Sequence, residues 1–117
     1  HMRKTDILKP DEQLDQCIIN RYLPGEGIAH HTDHMKFFGE PIISVSLNSF
    51  CVMEFKKPND DNITPVALKR RSIIALRGDA ISKVQHGIAA HKVDSYPGLK
   101  EVTRKTRYSI TFRKMKN

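Results

Sequence analysis

Three histidines and an aspartate fall within seven positions, Ile28-Ala29-His30-His31-Thr32-Asp33-His34. On an extended strand, residues i and i+2 point to the same side, so His31 and Asp33 can aim an imidazole and a carboxylate at one point. Two histidines and one carboxylate make the facial triad of non-haem iron(II) sites, which leaves three coordination positions open. The third ligand has to come from elsewhere in the fold. His86 is the best candidate, because it lies in the strand-like run Val84-Gln85-His86-Gly87-Ile88, where a histidine is otherwise unexpected. His30 and His34 compete as ligands, but alternation turns His30 away from His31 and His34 away from Asp33. Both read as loop or outlying residues, and His91 reads as solvent-exposed. Taken alone the motif is weak, since a surface histidine followed by a turn-forming aspartate looks the same.

A second group stands near the C-terminal end. In Arg107-Tyr108-Ser109-Ile110-Thr111-Phe112-Arg113, alternation places Arg107, Ser109, Thr111 and Arg113 on one face. Two arginines turned into a barrel are costly unless an anion meets them. A dicarboxylate supplies that anion, and the planar guanidinium fork suits a carboxylate bidentately. On an edge strand the same face would instead lie in water. Asn20 and Tyr22 also share a face and precede His31 by one turn, within reach of the same ligand.

Six blocks appear in order: Asn20-Arg21-Tyr22, Gly25-x-Gly27-Ile28, His31-x-Asp33, Ile43-Ser44-Val45-Ser46-Leu47, His86-Gly87-Ile88 and Arg107-x-Ser109-x-Thr111-Phe112-Arg113. Together they resemble the AlkB family of Fe(II)- and 2-oxoglutarate-dependent dioxygenases, over most of the chain from Asn20 to Arg113. The resemblance implies an all-β double-stranded β-helix, or jelly roll, with little helix. It implies Fe(II) at His31, Asp33 and His86, with O2 and 2-oxoglutarate as co-substrates. The 2-oxoglutarate contacts it implies are Asn20, Tyr22, Arg107, Ser109 and Arg113, with Arg107 on the distal carboxylate and Arg113 and the Asn20 amide at the chelating end. The implied reaction couples decarboxylation of 2-oxoglutarate, giving succinate and carbon dioxide, to hydroxylation of a C–H bond. On an N-methyl group the hydroxymethyl product collapses to formaldehyde, an oxidative demethylation.

The elements that would carry these residues are short strands. Cys17 to Leu23 reads as a strand closed by Pro24-Gly25-Glu26-Gly27, then Ile28 to Thr32 and, after a loop, Ile42 to Leu47. Asn48-Ser49 is expected to turn a hairpin into Cys51 to Phe55. Pro58 to Asn62 is a loop; Ser72 to Leu76, Val84 to Ala89 and Tyr108 to Arg113 complete the strands. Asp11 is a weak cap for a helical turn through Leu14. Many short strands divided by Gly, Pro and Asn indicate a sandwich or barrel, and a jelly roll is the architecture expected here.

With 117 residues and 38% hydrophobic content, one domain spanning 1–117 is expected. His1-Met2 resembles a cloning scar. No apolar run approaches a membrane span and no secretory signal is evident, so a soluble, intracellular monomer with no membrane partner is expected. Cys17 and Cys51 both lie in apolar runs and read as buried free thiols. The net charge is +7, concentrated in Lys69-Arg70-Arg71 and in a C-terminal group from Lys100 to Lys116 that includes Arg104 and Lys105. Such a balance suits methylated DNA or RNA as the partner, although a solvated basic face would have the same composition.

Substrate is the less defined part of the reading. Nucleic-acid-active members of the family carry an N-terminal lid, and fewer than twenty residues precede Asn20. Ile81 stands where such relatives often carry an arginine. In favour of a nucleic acid are the basic balance and the loop His34-Met35-Lys36-Phe37-Phe38, where a phenylalanine can stack on a base. A methylated nucleic-acid base is therefore the first expectation, with a protein or small-molecule substrate second. Two readings outside that activity are a non-catalytic basic RNA-binding β-domain and a cupin-like metal protein that does not use 2-oxoglutarate.

Overall fold

The computed structural model describes residues 14–33 and 39–115. The cap at Asp11 and the loop from His34 to Phe38 lie outside these residues. In chain order the strands are β1 (Gln16–Tyr22), β2 (Ile28–His31), β3 (Ile42–Leu47), β4 (Cys51–Lys56), β5 (Ile63–Leu68), β6 (Ser72–Leu76), β7 (Gln85–Ile88), β8 (Val93–Asp94), β9 (Val102–Thr103) and β10 (Arg107–Arg113). One turn of helix, α1 (Asp79–Ser82), precedes β7. Two four-stranded sheets form, ordered β1-β10-β3-β6 and β2-β7-β4-β5, while β8 and β9 make a small separate hairpin. Every pairing is antiparallel. From β1 to β7 the chain changes sheet at every step except β4 to β5, which is the double Greek-key path of the expected jelly roll. No helix among the described residues is long and apolar enough to cross a membrane.

The step from β3 to β4 corrects the hairpin expected at Asn48-Ser49, because the two strands belong to different sheets. Ser49 N–H donates to Leu47 O at 2.9 Å, and Asn48 adopts φ 73°, so the chain reverses tightly at that point. The link is then tied sideways: Asn48 Nδ2 donates to Thr106 O at 2.6 Å, and Ser49 Oγ accepts from Lys105 N at 2.9 Å. Turn-favouring residues fix a reversal but do not choose which sheet receives the next strand. β5 was not anticipated. It carries Pro65, which cannot donate to a ladder, and the fold places it at the edge of its sheet beside β4.

Two apolar clusters lie in the space between the sheets. Cys51, Met53, Leu68 and Ile88 pack with Ile28, Phe55, Val66 and Ile74; Ile42, Leu76 and Ile81 pack with Phe55, Ile74 and Ala80. Ile81 is fully buried. It places an aliphatic side chain of α1 in the core. Of the two free cysteines, Cys51 is buried, and burial raises its thiol pKa. Cys17 is exposed, contrary to expectation, because alternation along β1 turns Ile18 inward and Cys17 outward.

Arg104 requires a second correction. Grouped by sequence with the basic C-terminal run, it is 7% exposed, and its fork meets Asp94 with Nε and Nη2 at 2.6 and 2.7 Å. Its Nη1 donates to Glu26 O at 3.2 Å, so this pair ties the β8–β9 hairpin to the turn after β1. The Asp94 hydrogen bonds hold Arg104 above the usual arginine pKa, outweighing the effect of burial. Replacing Arg104 with alanine strands the Asp94 carboxylate, which is 3% exposed, and is expected to cost about 3–5 kcal/mol. Urea denaturation measures this cost; a paired Arg104→Met, Asp94→Leu variant should recover most of it.

Candidate active site

β2 and β7 lie side by side, and their pairing sets His31 opposite His86. The two rings stand 4.5 Å apart between centroids at 55°. Gly27 and Gly87 permit this approach. A Cβ on Gly87 would come within 2.7 Å of Ile28 O and 2.8 Å of His30 Cδ2, and one on Gly27 would collide with the backbone at Ile88. The glycine after His86 therefore has a local cause: it lets the two histidine strands touch. His30, one residue earlier, points the other way and places Nε2 3.1 Å from Glu54 Oε1.

Asp33 lies two residues past His31, just beyond the end of β2. The ligand atoms of His31, Asp33 and His86 all fall within 4.8 Å of one another. His31 Nδ1 is 2.8 Å from Ala29 O, so Nδ1 carries the proton and Nε2 keeps its lone pair for a metal. His86 Nε2 is 3.7 Å from Asp33 Oδ2, too long for a hydrogen bond, while its buried Nδ1 has no partner among the described residues. A buried imidazole with neither nitrogen satisfied is a costly arrangement for a protein without a ligand and a suitable one for a metal site. Burial lowers the His86 pKa, against the opposing pull of Asp33; His31, Arg113 and His30 lower it further. The neutral, metal-binding form is thus favoured.

The triad opens into a cavity of about 250 Å³ between the sheets. All eight residues singled out in the sequence line it: His31, Asp33 and His86, and with them Asn20, Tyr22, Arg107, Ser109 and Arg113. β10 lies between β1 and β3, so its polar face is not that of an edge strand in water. Register sets Asn20 beside Ser109 and Tyr22 beside Arg107. Arg113 marks the end of the cavity next to the triad, with Nη2 4.0 Å from Asp33 Oδ1. Arg107 marks the far end. It is 5% exposed, donates from Nε to Ser46 Oγ at 2.8 Å and lies 5.4 Å from the centre of the Tyr22 ring. No carboxylate among the described residues pairs with it.

Sequence reasoning missed Ser46, which orients Arg107, as well as Ser44 and the apolar wall formed by Ile28, Ile42, Met53, Ile74 and Leu76. The signal for the serines was the alternation Ser44-Val45-Ser46. It sends two hydroxyls to the face that carries Ser109 and Thr111, with Ser46 opposite Ser109 and Ser44 opposite Thr111.

The 2OG-Fe(II) oxygenase superfamily matches this chain over residues 2–113. Among curated relatives, the tRNA (carboxymethyluridine(34)-5-O)-methyltransferase ALKBH8 of Macaca fascicularis is 43% identical over 81 residues, 69% of this chain and 12% of that protein. The alpha-ketoglutarate-dependent dioxygenase AlkB of Escherichia coli is 32% identical over 106 residues, 89% of this chain and 47% of the bacterial protein. The chain therefore spans less than half the length of either relative. The solved structure of OsALKBH1 superposes with a TM-score of 0.67 at 22% identity, covering 96% of this chain and 53% of that one, a likeness of fold. Family match, jelly-roll topology and a His-Asp-His cluster agree: the chain belongs to the 2-oxoglutarate–Fe(II) oxygenase superfamily and is AlkB-like within it.

Proposed function

We propose that residues 1–117 form a single catalytic domain that oxidatively demethylates a methylated nucleic-acid base, using Fe(II), 2-oxoglutarate and O2. The observation that carries this reading is Arg107, a buried cation facing the cavity whose hydrogen-bond and ring partners among the described residues are the Ser46 hydroxyl and the Tyr22 ring. A guanidinium in that position calls for an anion, and a dicarboxylate long enough to reach the triad from it answers the need. His31, Asp33 and His86 hold the iron; Asn20, Tyr22, Arg107, Ser109 and Arg113 hold 2-oxoglutarate. When bound, iron and co-substrate together supply the oxidative decarboxylation that delivers one oxygen atom of O2 to a C–H bond, the other leaving in succinate.

The chain's own part is positioning and exclusion. Asp33 contributes the one carboxylate of the triad, with Arg113 beside it to offset that charge. The aliphatic wall keeps bulk water from the reacting centre. None of the chain's side chains is assigned as a general base; their part is to hold and orient the reactants. The net charge of +7, together with a relative named for tRNA modification, supports a nucleic-acid substrate. The domain is proposed to act as a monomer inside the cell.

Succinate and formaldehyde release, measured with Fe(II), ascorbate and O2 in the presence of methylated oligonucleotides, tests the proposal. Equal amounts of both products, dependent on the methylated strand, are expected. Succinate release that ignores every oligonucleotide would move the substrate to a protein or small molecule. RNA binding that survives chelation with no turnover would overturn the enzymatic reading.

A further inference from the structure

The jelly roll has two ends, and its cations are divided unevenly between them. His31, His86, Arg113 and the start of β3 lie at one end, the mouth of the cavity. The β1–β2 turn, the β3–β4 link, the β5–β6 turn and the approach to β10 lie at the other. Around the mouth most described charges have an opposite charge nearby, exposed Lys114 at the end of β10 excepted. Lys83 Nζ is 3.7 Å from Asp79 Oδ1, and Lys56 and Lys57 are followed in the same connection by Asp60 and Asp61.

At the far end they do not offset. Lys69, Arg70 and Arg71 follow one another in the β5–β6 turn, all exposed, and exposed Lys105 precedes β10. Two hydrogen bonds bring the segments together: Arg71 N–H donates to Ser46 O at 2.7 Å, and Lys105 N–H to Ser49 Oγ at 2.9 Å. Ser46 and Ser49 bracket the β3–β4 link, so the basic segments are fastened to either side of it. The nearby Asp94 carboxylate is already taken up by Arg104 inside the fold, and Glu26 accepts from Leu23 N–H on the opposite margin. None of the ion pairs among the described residues involves the four cations. Arg71 also holds φ 65°, a conformation that glycine or asparagine adopts with less strain. An arginine there, in place of a relaxed turn residue, is consistent with use of its charge.

We propose that Lys69, Arg70, Arg71 and Lys105 form a binding surface for the phosphodiester backbone of a nucleic acid, at the end of the barrel opposite the mouth. Strands lie about 4.8 Å apart, so a row crossing from β6 past β3 to β10 extends about 10 Å. That length suits successive phosphates, which follow each other every ~3.4 Å per strand along a duplex axis. Long, exposed cations without a base-reading partner neutralise phosphates and leave sequence unread. The surface deepens the nucleic-acid reading above by adding a second point of contact remote from the reacting base, and because binding there needs no methylated base, it can be tested apart from turnover.

Fluorescence anisotropy with labelled, unmethylated single-stranded RNA and duplex DNA, followed across a salt series, provides that test. The variant carries Lys69→Gln, Arg70→Gln, Arg71→Asn and Lys105→Gln; asparagine keeps the left-handed turn. Affinity for at least one probe should fall about tenfold or more at low salt, with the slope of log K against log salt shallower by roughly three. Mn(II) binding, 2-oxoglutarate binding and the thermal midpoint should be unchanged, which separates lost contacts from lost folding. Unchanged affinity and slope would overturn the proposal. So would an equal loss from Lys56→Gln and Lys57→Gln at the mouth with the far-end variant unaffected. Displacement of the RNA by poly-glutamate at equal charge concentration would also overturn it, in favour of an acidic protein partner.

Discussion

His86→Ala is expected to abolish divalent-metal binding and, with it, all succinate formation, while leaving the protein folded. Removing one of three protein ligands lowers affinity by far more than the 10–100-fold typical of losing a residue that merely supports a ligand. The fold should survive, because neither ring nitrogen of His86 is hydrogen-bonded to the described protein and the change removes an unsatisfied buried group. Titrating Mn(II) while following the thermal midpoint reads both effects. The wild type gains about 2.7 kcal/mol at a hundred times the dissociation constant, and the variant gains nothing. Acid adds an independent signature. Burial keeps the folded His86 pKa below the ordinary imidazole value of about 6.5, so the unfolded chain takes up that proton first. Stability of the metal-free wild type therefore falls as pH drops below about 6.5, and the alanine variant should lose less over the same range. A variant that still shows a metal-induced shift would remove His86 from the ligand set.

The triad was legible because its signal is local and chemical. His31 and Asp33 stand two apart, and strand alternation alone predicts that they converge; the structure adds that Asp33 lies past the end of β2, free of the ladder. The Arg107 face was legible for the same reason, as one strand with polar residues at every second position. Features that depend on which strand receives which neighbour were hidden. Asn48-Ser49 has the chemistry of a hairpin turn and serves a crossing between sheets. Pro65 obscures the strand pattern of β5, although an edge position tolerates it. Arg104 looks like its basic neighbours, and only the β8–β9 hairpin, which brings Asp94 within 2.6 Å, makes it a buried clasp. Polarity added a further ambiguity. The β1-β10-β3-β6 sheet turns Ser44, Ser109, Thr111, Arg107 and Arg113 towards the cavity and leaves Ile19, Ile73 and Tyr108 at least 39% exposed on its outer face. The usual rule of apolar residues inside would therefore have assigned that sheet's faces the wrong way round.

Arg107 and Arg104 are both buried arginines, and opposite outcomes are expected when each loses its charge. Arg104 is matched inside the protein by Asp94, so its loss destabilises the fold. Arg107 has no carboxylate partner among the described residues, so the free protein bears the cost of its burial and the recovery comes when an anion enters the cavity. Arg107→Met, of similar length and uncharged, should thus leave the thermal midpoint of the free protein unchanged or higher. The same change should weaken 2-oxoglutarate binding by about 2–5 kcal/mol, roughly thirty-fold to several thousand-fold. Arg107→Lys keeps a charge but loses the planar fork and the Nε donor to Ser46, and should fall between the two. Calorimetric titration of 2-oxoglutarate into the Mn(II)-loaded protein measures the affinities. Mn(II) affinity itself should not change, because Arg107 lies at the end of the cavity away from the triad. Binding of 2-oxoglutarate by the methionine variant within threefold of the wild type would mean that Arg107 is not the anchor of the distal carboxylate. A fall in free-protein stability comparable to that of Arg104→Ala would mean that the protein already supplies Arg107 with a counter-charge.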